Sequence, residues 1–163
     1  MASGVAVSDE VIKCYDEIRV RYQGSEEKER FKLIIMRLSE DQKSIVVDHK
    51  STLKVKDIVN EKNVFEKIVS MLPLTDCCYA LYDCKYETKD SQKEDLVFIM
   101  WAPDNASIKK KLLYASSKAA LKNKLQGLKF EWQVNDNADK QMSVLVDKLG
   151  GSRIVTSLEG INV

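Results

Sequence analysis

CYALYDCKYETKDSQKEDLVFIMWAP, Cys78 to Pro103, reads as two strands joined by a polar turn, and it decides how the chain is layered. CYALYDCKYET is rich in aromatic and strand-forming residues, KDSQKE is the turn, and DLVFIMWAP is apolar almost throughout. A strand with one wet face alternates apolar and polar residues, whereas a strand without alternation is covered on both faces. The sheet built on this hairpin therefore needs helices on each side.

Working outward supplies them. FKLIIMRL (31–38) and SIVVDH (44–49) form a second strand pair across the turn SEDQK. After a short tail, Met1 to Val7, Ser8 is placed to cap a first helix, and Asp9 and Glu10 favour its positive end. Val11, Tyr15, Ile18 and Tyr22 recur at helical spacing, and the polar run GSEEKER ends the helix in a loop. NVFEKIVSML (63–72) is a short amphipathic helix stopped before Pro73, because the residue preceding proline avoids the helical region. Downstream come a long helix within 102–127, the strand LKFEWQV (128–134), and the helix ADKQMSVLVDKL (138–149), which ends at Gly150-Gly151. SRIVTSLEG is a last short strand. This order predicts a mixed sheet with helices on both faces, an α/β fold of the α+β type.

At 163 residues the chain is one compact domain with room for a real core. Apolar residues make up 44% and charged residues 31%, and 26 Lys and Arg against 25 Asp and Glu leave a net charge of +1. A dedicated nucleic-acid binder carries a large positive excess, so any basic patch here is local. Cys14, Cys77, Cys78 and Cys84 lack zinc-ligand spacing and are expected to be reduced thiols, with the adjacent pair on opposite faces of a strand. The start lacks the basic and apolar regions of a signal peptide, and no apolar run is long enough for a bilayer. A cytoplasmic protein is expected, with no metal and no cofactor.

APDNASIKKKLLYASSKAALKNKLQG (102–127) has no acidic residue after Asp104 and carries Lys109, Lys110, Lys111, Lys118, Lys122 and Lys124. At about 100° per residue its apolar positions fall into two stripes. Leu113, Tyr114, Leu121 and Leu125 share one face and continue into Leu128; Ile108, Leu112, Ala115 and Ala119 lie nearly opposite. A helix on a sheet needs one apolar face, so the second stripe is surplus to the core. Flanked by Lys109, Lys111 and Lys122, it reads as a protein-binding ridge: an apolar centre for affinity, lysines at the rim for steering. The plainer alternative is a wide buried face. Phosphate binding is disfavoured because that face lacks stacking aromatics.

Five blocks carry a family resemblance: MASGVAVSDEV at the start, MLP-x3-C-x-YALYD (71–83), YETKDSQKEDLVFIMWAP (86–103), LLYASSKAALKNKL (112–125) and KLGGSRIVTSLEG (148–160). The sequence resembles the actin-depolymerizing factor/cofilin family. The resemblance implies a single domain over 8–163, with one mixed five- to six-stranded sheet between helices, after a regulatory tail, 1–7. It implies binding of monomeric and filamentous actin, preference for ADP-loaded subunits, and filament severing and depolymerization. By position it assigns actin contacts to Ser3, Gly4, Val5, Lys109, Lys111 and Leu112, and makes Ser3 the target of a kinase and a phosphatase. A phosphate there adds about −1.5 to −2 charges and would repel an acidic partner.

A second, filament-only contact would use Lys93, Glu94 and Asp95 of the turn with Asp147 and Lys148 of the last helix. Phosphatidylinositol bisphosphate is implied as a ligand competing with actin, with Lys109, Lys111, Lys122, Lys124 and Lys129 supplying charge. Four positions depart from the vertebrate cofilin pattern. Gln92-Lys93 replaces two lysines and Met142 an arginine, which implies a weaker, salt-sensitive filament contact. EEKERFK (26–32) replaces the basic nuclear import signal, so import by that route is not expected. Phe130 replaces a histidine, leaving His49 as the one histidine and predicting little pH dependence near neutrality.

An enzyme is the main alternative from another class, but one histidine and a glycine pair that stops a helix assemble no catalytic constellation. Glu94-Asp95, on a polar turn, read as solvated. Closer alternatives are a coactosin-like filament side-binder without strong severing, and a phosphoinositide adaptor. A monomer is the simplest expectation.

Overall fold

The computed structural model describes residues 4–19 and 28–163. Among the described residues nine strands form one sheet: β1 (Ala6–Val7), β2 (Phe31–Leu38), β3 (Ser44–Val47), β4 (Leu53–Lys54), β5 (Cys78–Thr88), β6 (Gln92–Trp101), β7 (Phe130–Val134), β8 (Val155–Leu158) and β9 (Ile161–Asn162). The main path runs β1-β3-β2-β5-β6-β7; β4 joins the side of β2, and the β8–β9 hairpin joins β5. β5 and β6 pair antiparallel from Cys78↔Trp101 to Glu87↔Gln92, forming the long central hairpin. The β1–β3 and β6–β7 pairs are parallel, so the sheet is mixed. A parallel pair needs a crossover, and between β6 and β7 it is the long helix.

Helices α1 (Asp9–Arg19), α2 (Val64–Ser70), α3 (Ile108–Lys124) and α4 (Met142–Lys148) divide between the faces. On one side, Val11 and Ile18 of α1 and Tyr114 and Leu121 of α3 pack with Ile34, Tyr79, Leu81 and Phe98 of the sheet. On the other, Phe65 and Ile68 of α2 and Leu145 and Val146 of α4 pack with Leu33, Tyr82, Val97 and Ile99. Alternate residues of β2, β5 and β6 thus enter opposite cores, which explains the missing polar alternation in DLVFIMW. Cys77 and Cys78 go to opposite cores as expected. All four thiols are buried and unpaired, and burial pushes the Cys14 thiol up to about 11.

The strand count exceeds the expected five or six because β1, β4 and β9 are two residues long. Two residues carry no period, so pairing rather than pattern makes them strands. Ala6–Val7, expected within a tail, are fixed by Ala6 N–H to the Lys43 carbonyl (2.9 Å) and Ser8 N–H to the Ile45 carbonyl (3.1 Å). Ser8 does not cap α1 with its hydroxyl, which is buried with no hydrogen-bond partner among the described residues; its carbonyl accepts from Val11 N–H instead. Tyr22 lies outside the described residues. β6 begins at Gln92, not Asp95: Gln92, Lys93 and Glu94 pair with Glu87, Tyr86 and Lys85 where the hairpin runs out into solvent, so their polarity reports exposure, not a turn. α4 begins at Met142, not Ala138, because Asp136 and Asp139 bind nearby backbone N–H groups of Asp139 and Asn135 (both 3.0 Å). Such side-chain bonds compete with helix formation.

Candidate functional site

α3 starts cleanly: the Ser107 hydroxyl accepts from Lys110 N–H at 3.2 Å, satisfying a donor at the helix start. From there its two apolar stripes part company. Tyr114, Ser117 and Leu121 are buried against the sheet, followed by Leu125 just past the helix. Ile108 and Leu112 are 75% and 66% exposed, and Ala115 and Ala119 are exposed with them. Isolated exposed apolar residues are ordinary. Four on one stripe at helical spacing form a continuous ridge.

Charge at the helix start runs against helix stability. The first turn holds no acid, and Lys109, Lys110 and Lys111 sit at the positive end of the helix dipole, where cations are disfavoured. Asp76 relieves Lys110 at 3.0 Å, and Lys111 Nζ donates to the Asp104 carbonyl at 3.3 Å. Lys109 is exposed and has no partner among the described residues. This concentration of positive charge suits an acidic partner surface rather than the fold.

The sheet fixes how the ridge is aimed. The Tyr79 hydroxyl donates to the Tyr114 carbonyl in mid-helix, while the Tyr114 hydroxyl accepts from Leu38 N–H at 3.0 Å. The Ser117 hydroxyl donates to the Leu113 carbonyl at 2.8 Å, and the Tyr79 and Tyr114 rings meet at 5.2 Å. Burial pushes the Tyr114 phenol up to about 12 and that of Tyr79 higher still, so both hydroxyls stay protonated near neutral pH. These bonds fix the rotation of α3 about its axis, and with it the outward direction of Ile108 and Leu112. β1 runs against the same helix, bringing the N-terminal segment to its side.

A family model described as cofilin/tropomyosin-type actin-binding protein matches residues 4–150. The chain belongs to the actin-depolymerizing factor/cofilin family. The family consists of actin-binding proteins, not enzymes, and actin is the partner it implies. Among solved structures the chain is similar to cofilin from Streptomyces griseoflavus, with 27% identity and a TM-score of 0.73 over 90% of this chain and 98% of that one. It is also similar to the ADF-like UNC-60A protein of Caenorhabditis elegans, with 30% identity and a TM-score of 0.68 over 92% and 96% of the two chains. Coactosin from Entamoeba histolytica shares the fold at 18% identity and a TM-score of 0.68, over 90% and 95%.

In this cofilin-family chain the expected contact residues fall into separate places. Gly4 is exposed, Val5 is half-buried against the core under α3, and Ser3 lies outside the described residues. Lys109 and Leu112 are exposed on α3, with Lys111 half-buried beside them. Lys122 is engaged by Glu131 at 2.8 Å, and Lys118 bonds the same carboxylate. Burial of Glu131 works upward on its carboxyl, but the two lysines outweigh it and leave it below the usual carboxylate value. Lys124 and Lys129 are exposed.

The filament-contact candidates do not join this ridge. Lys93 is exposed on β6, whereas Asp95 is half-buried and accepts from the Tyr86 hydroxyl at 2.6 Å. Asp147 and Lys148 are exposed on α4, in the helix layer opposite α3. Phe130 packs half-buried against the core, and His49 sits at the surface 2.9 Å from Glu10. Of the basic residues in EEKERFK, Arg30 and Lys32 are buried; Glu26 and Glu27 lie outside the described residues.

One exposed residue near the helix escaped the pattern. Leu74 is 72% exposed and shares a groove of about 230 Å³ with Trp101, Pro103 and Asp104, next to the start of α3. It stands in an irregular segment after Pro73, where no periodicity marks it.

Proposed function

We propose that this protein binds actin monomers and filaments through the α3 ridge and the adjoining N-terminal segment, prefers ADP-loaded subunits, and promotes filament severing and depolymerization. The observation that carries the reading is the outward stripe of Ile108 and Leu112, rimmed by lysines of which Lys109 is exposed and has no partner among the described residues. A partner with an apolar cleft and acidic margins would bury the stripe for affinity and use the lysines for steering and register. Lys93 with Asp95 on β6, and Asp147 with Lys148 on α4, would form a second patch met only in the filament, weaker and salt-sensitive.

Regulation belongs to the same reading. Phosphorylation of Ser3, opposed by a phosphatase, would place negative charge beside a basic helix that has to meet an acidic partner. Phosphatidylinositol bisphosphate would compete through Lys109, Lys111, Lys124 and Lys129, with Lys122 contributing less because Glu131 already holds it. The place of action would be the cytoplasm, at the actin cytoskeleton.

Sedimentation of preformed ADP-actin filaments with increasing protein tests this, with Lys109→Ala/Lys111→Ala, Ser3→Glu and lipid vesicles containing phosphatidylinositol bisphosphate as parallel arms and salt varied throughout. Co-pelleting with a dose-dependent rise of actin in the supernatant, weakened in all three arms, is the expected result. Binding without disassembly would move the protein to the coactosin-like side-binders, and no binding would leave the ridge without this partner.

A further inference from the structure

A second charged region shares no residue with the α3 ridge, and it is internal. Arg30 and Asp83, 4% and 1% exposed, form a buried ion pair, and Arg30 also reaches Glu94 on β6 at 3.8 Å. Lys32, 5% exposed, pairs with Glu159 at 2.8 Å and lies 5.5 Å from the centre of the Tyr82 ring; the Tyr82 hydroxyl donates to the same carboxylate. Both pairs line one cleft of about 300 Å³, together with Lys85, Tyr86 and Glu87 of the central hairpin.

Glu159 is in an unusual place for its type. It and Gly160 are the two residues of the β8–β9 turn, with φ of 50° and 82°. Two consecutive left-handed residues make the tight hairpin turn that Asn-Gly or Asp-Gly fills best, and glutamate fills it at a cost. The buried carboxylate offsets that cost through Lys32 and Tyr82, while Glu159 N–H donates to the Lys85 carbonyl at 2.8 Å. The turn thereby docks β8 along Tyr86–Thr88 of β5, the stretch that pairs with Gln92 and Lys93 and bonds Asp95.

We infer that Lys32 and Glu159 are positioning residues for the filament-only patch: the pair locks the β8–β9 turn, which sets the β5–β6 hairpin that presents Lys93 and Asp95. This rests on the reading of that patch given under the proposed function. Both side chains are buried, so their effect would pass through the hairpin.

Lys32→Met/Glu159→Gln removes both charges at similar volume, avoiding a lone buried ion. Lys32→Met/Glu159→Asn also removes both charges but supplies a residue suited to the left-handed turn. Filament affinity from co-pelleting and monomer affinity from titration of ADP-actin would be measured for both, with circular dichroism confirming folding. The glutamine double variant is expected to lose about tenfold in filament affinity with monomer affinity unchanged, and the asparagine variant to recover most of it. Equal losses for monomer and filament, or a folded glutamine variant with undiminished filament affinity, would overturn the inference. If the unsubstituted protein bound neither form of actin, the actin reading itself would fall, before any variant was compared.

Discussion

The two faces of α3 carry apolar residues at the same spacing and do opposite things with them. Inward, Tyr114 and Leu121 fill a core and are held by Tyr79 and the Leu38 backbone. Outward, Ile108 and Leu112 meet water. The difference does not lie in hydrophobicity, since leucine stands on both sides. It lies in what the sheet can reach. A helix has one face toward its neighbour, so apolar residues elsewhere on it stay available to a partner from outside. On the proposed function, stability and recognition are thus written on the same seventeen residues, about half a turn apart.

That separation can be broken from either side. Leu121→Ala should have the largest effect: about 3 kcal/mol of stability lost to lost burial and a cavity, read as a lower denaturant midpoint, with actin affinity of the remaining folded protein little changed. A loss below about 1 kcal/mol would mean the inward face is less committed to the core than its burial indicates. Leu112→Asp should do the reverse. Stability should stay within about 0.5 kcal/mol, while actin affinity falls by about 2 kcal/mol, as for a central interface residue. A melting shift comparable to that of Leu121→Ala would show that the two faces are not independent.

The smallest effect expected is that of pH. Disassembly should be flat between about pH 6.5 and 8, because Phe130 cannot titrate and burial keeps Tyr79 and Tyr114 neutral there. Glu131, held low by Lys118 and Lys122, contributes stability that is present above the ordinary carboxylate value of about 4.3 and lost as pH falls through its folded value. Neutral solutions leave that contribution whole. A steep rise in disassembly across the window, abolished by His49→Ala, would assign the surface pair His49–Glu10 a role that neither α3 face has.

The ridge was legible in the sequence because a helix imposes a fixed angle per residue, and Ile108, Leu112, Ala115 and Ala119 need no partner to share a stripe. The central hairpin was legible for a similar reason, through an unbroken apolar run. The pairings Arg30–Asp83 and Lys32–Glu159 were not, since they join residues 53 and 127 positions apart and no local pattern couples them. GSEEKER read as a loop and Lys32 as part of the strand FKLIIMRL, and only the three-dimensional path of the chain shows that Arg30 and Lys32 turn inward. Leu74 and β1 were hidden for want of length: a single residue or a pair has no period.

β1 itself has a mechanical consequence. A two-residue parallel ladder to β3, with backbone bonds from Ala6 N–H and Ser8 N–H at its ends, zips it to the rim of the sheet. So short an edge can peel away at a small fraction of the free energy that unfolds the whole molecule. A covalent change at the extreme N-terminus could therefore unzip the strand and bare the flank of α3, giving up only the edge contacts of Val5 and Val7 while the buried core stayed in place. A thermal melt would be blind to such an event, whereas hydrogen exchange at the Ala6 amide would register it at once.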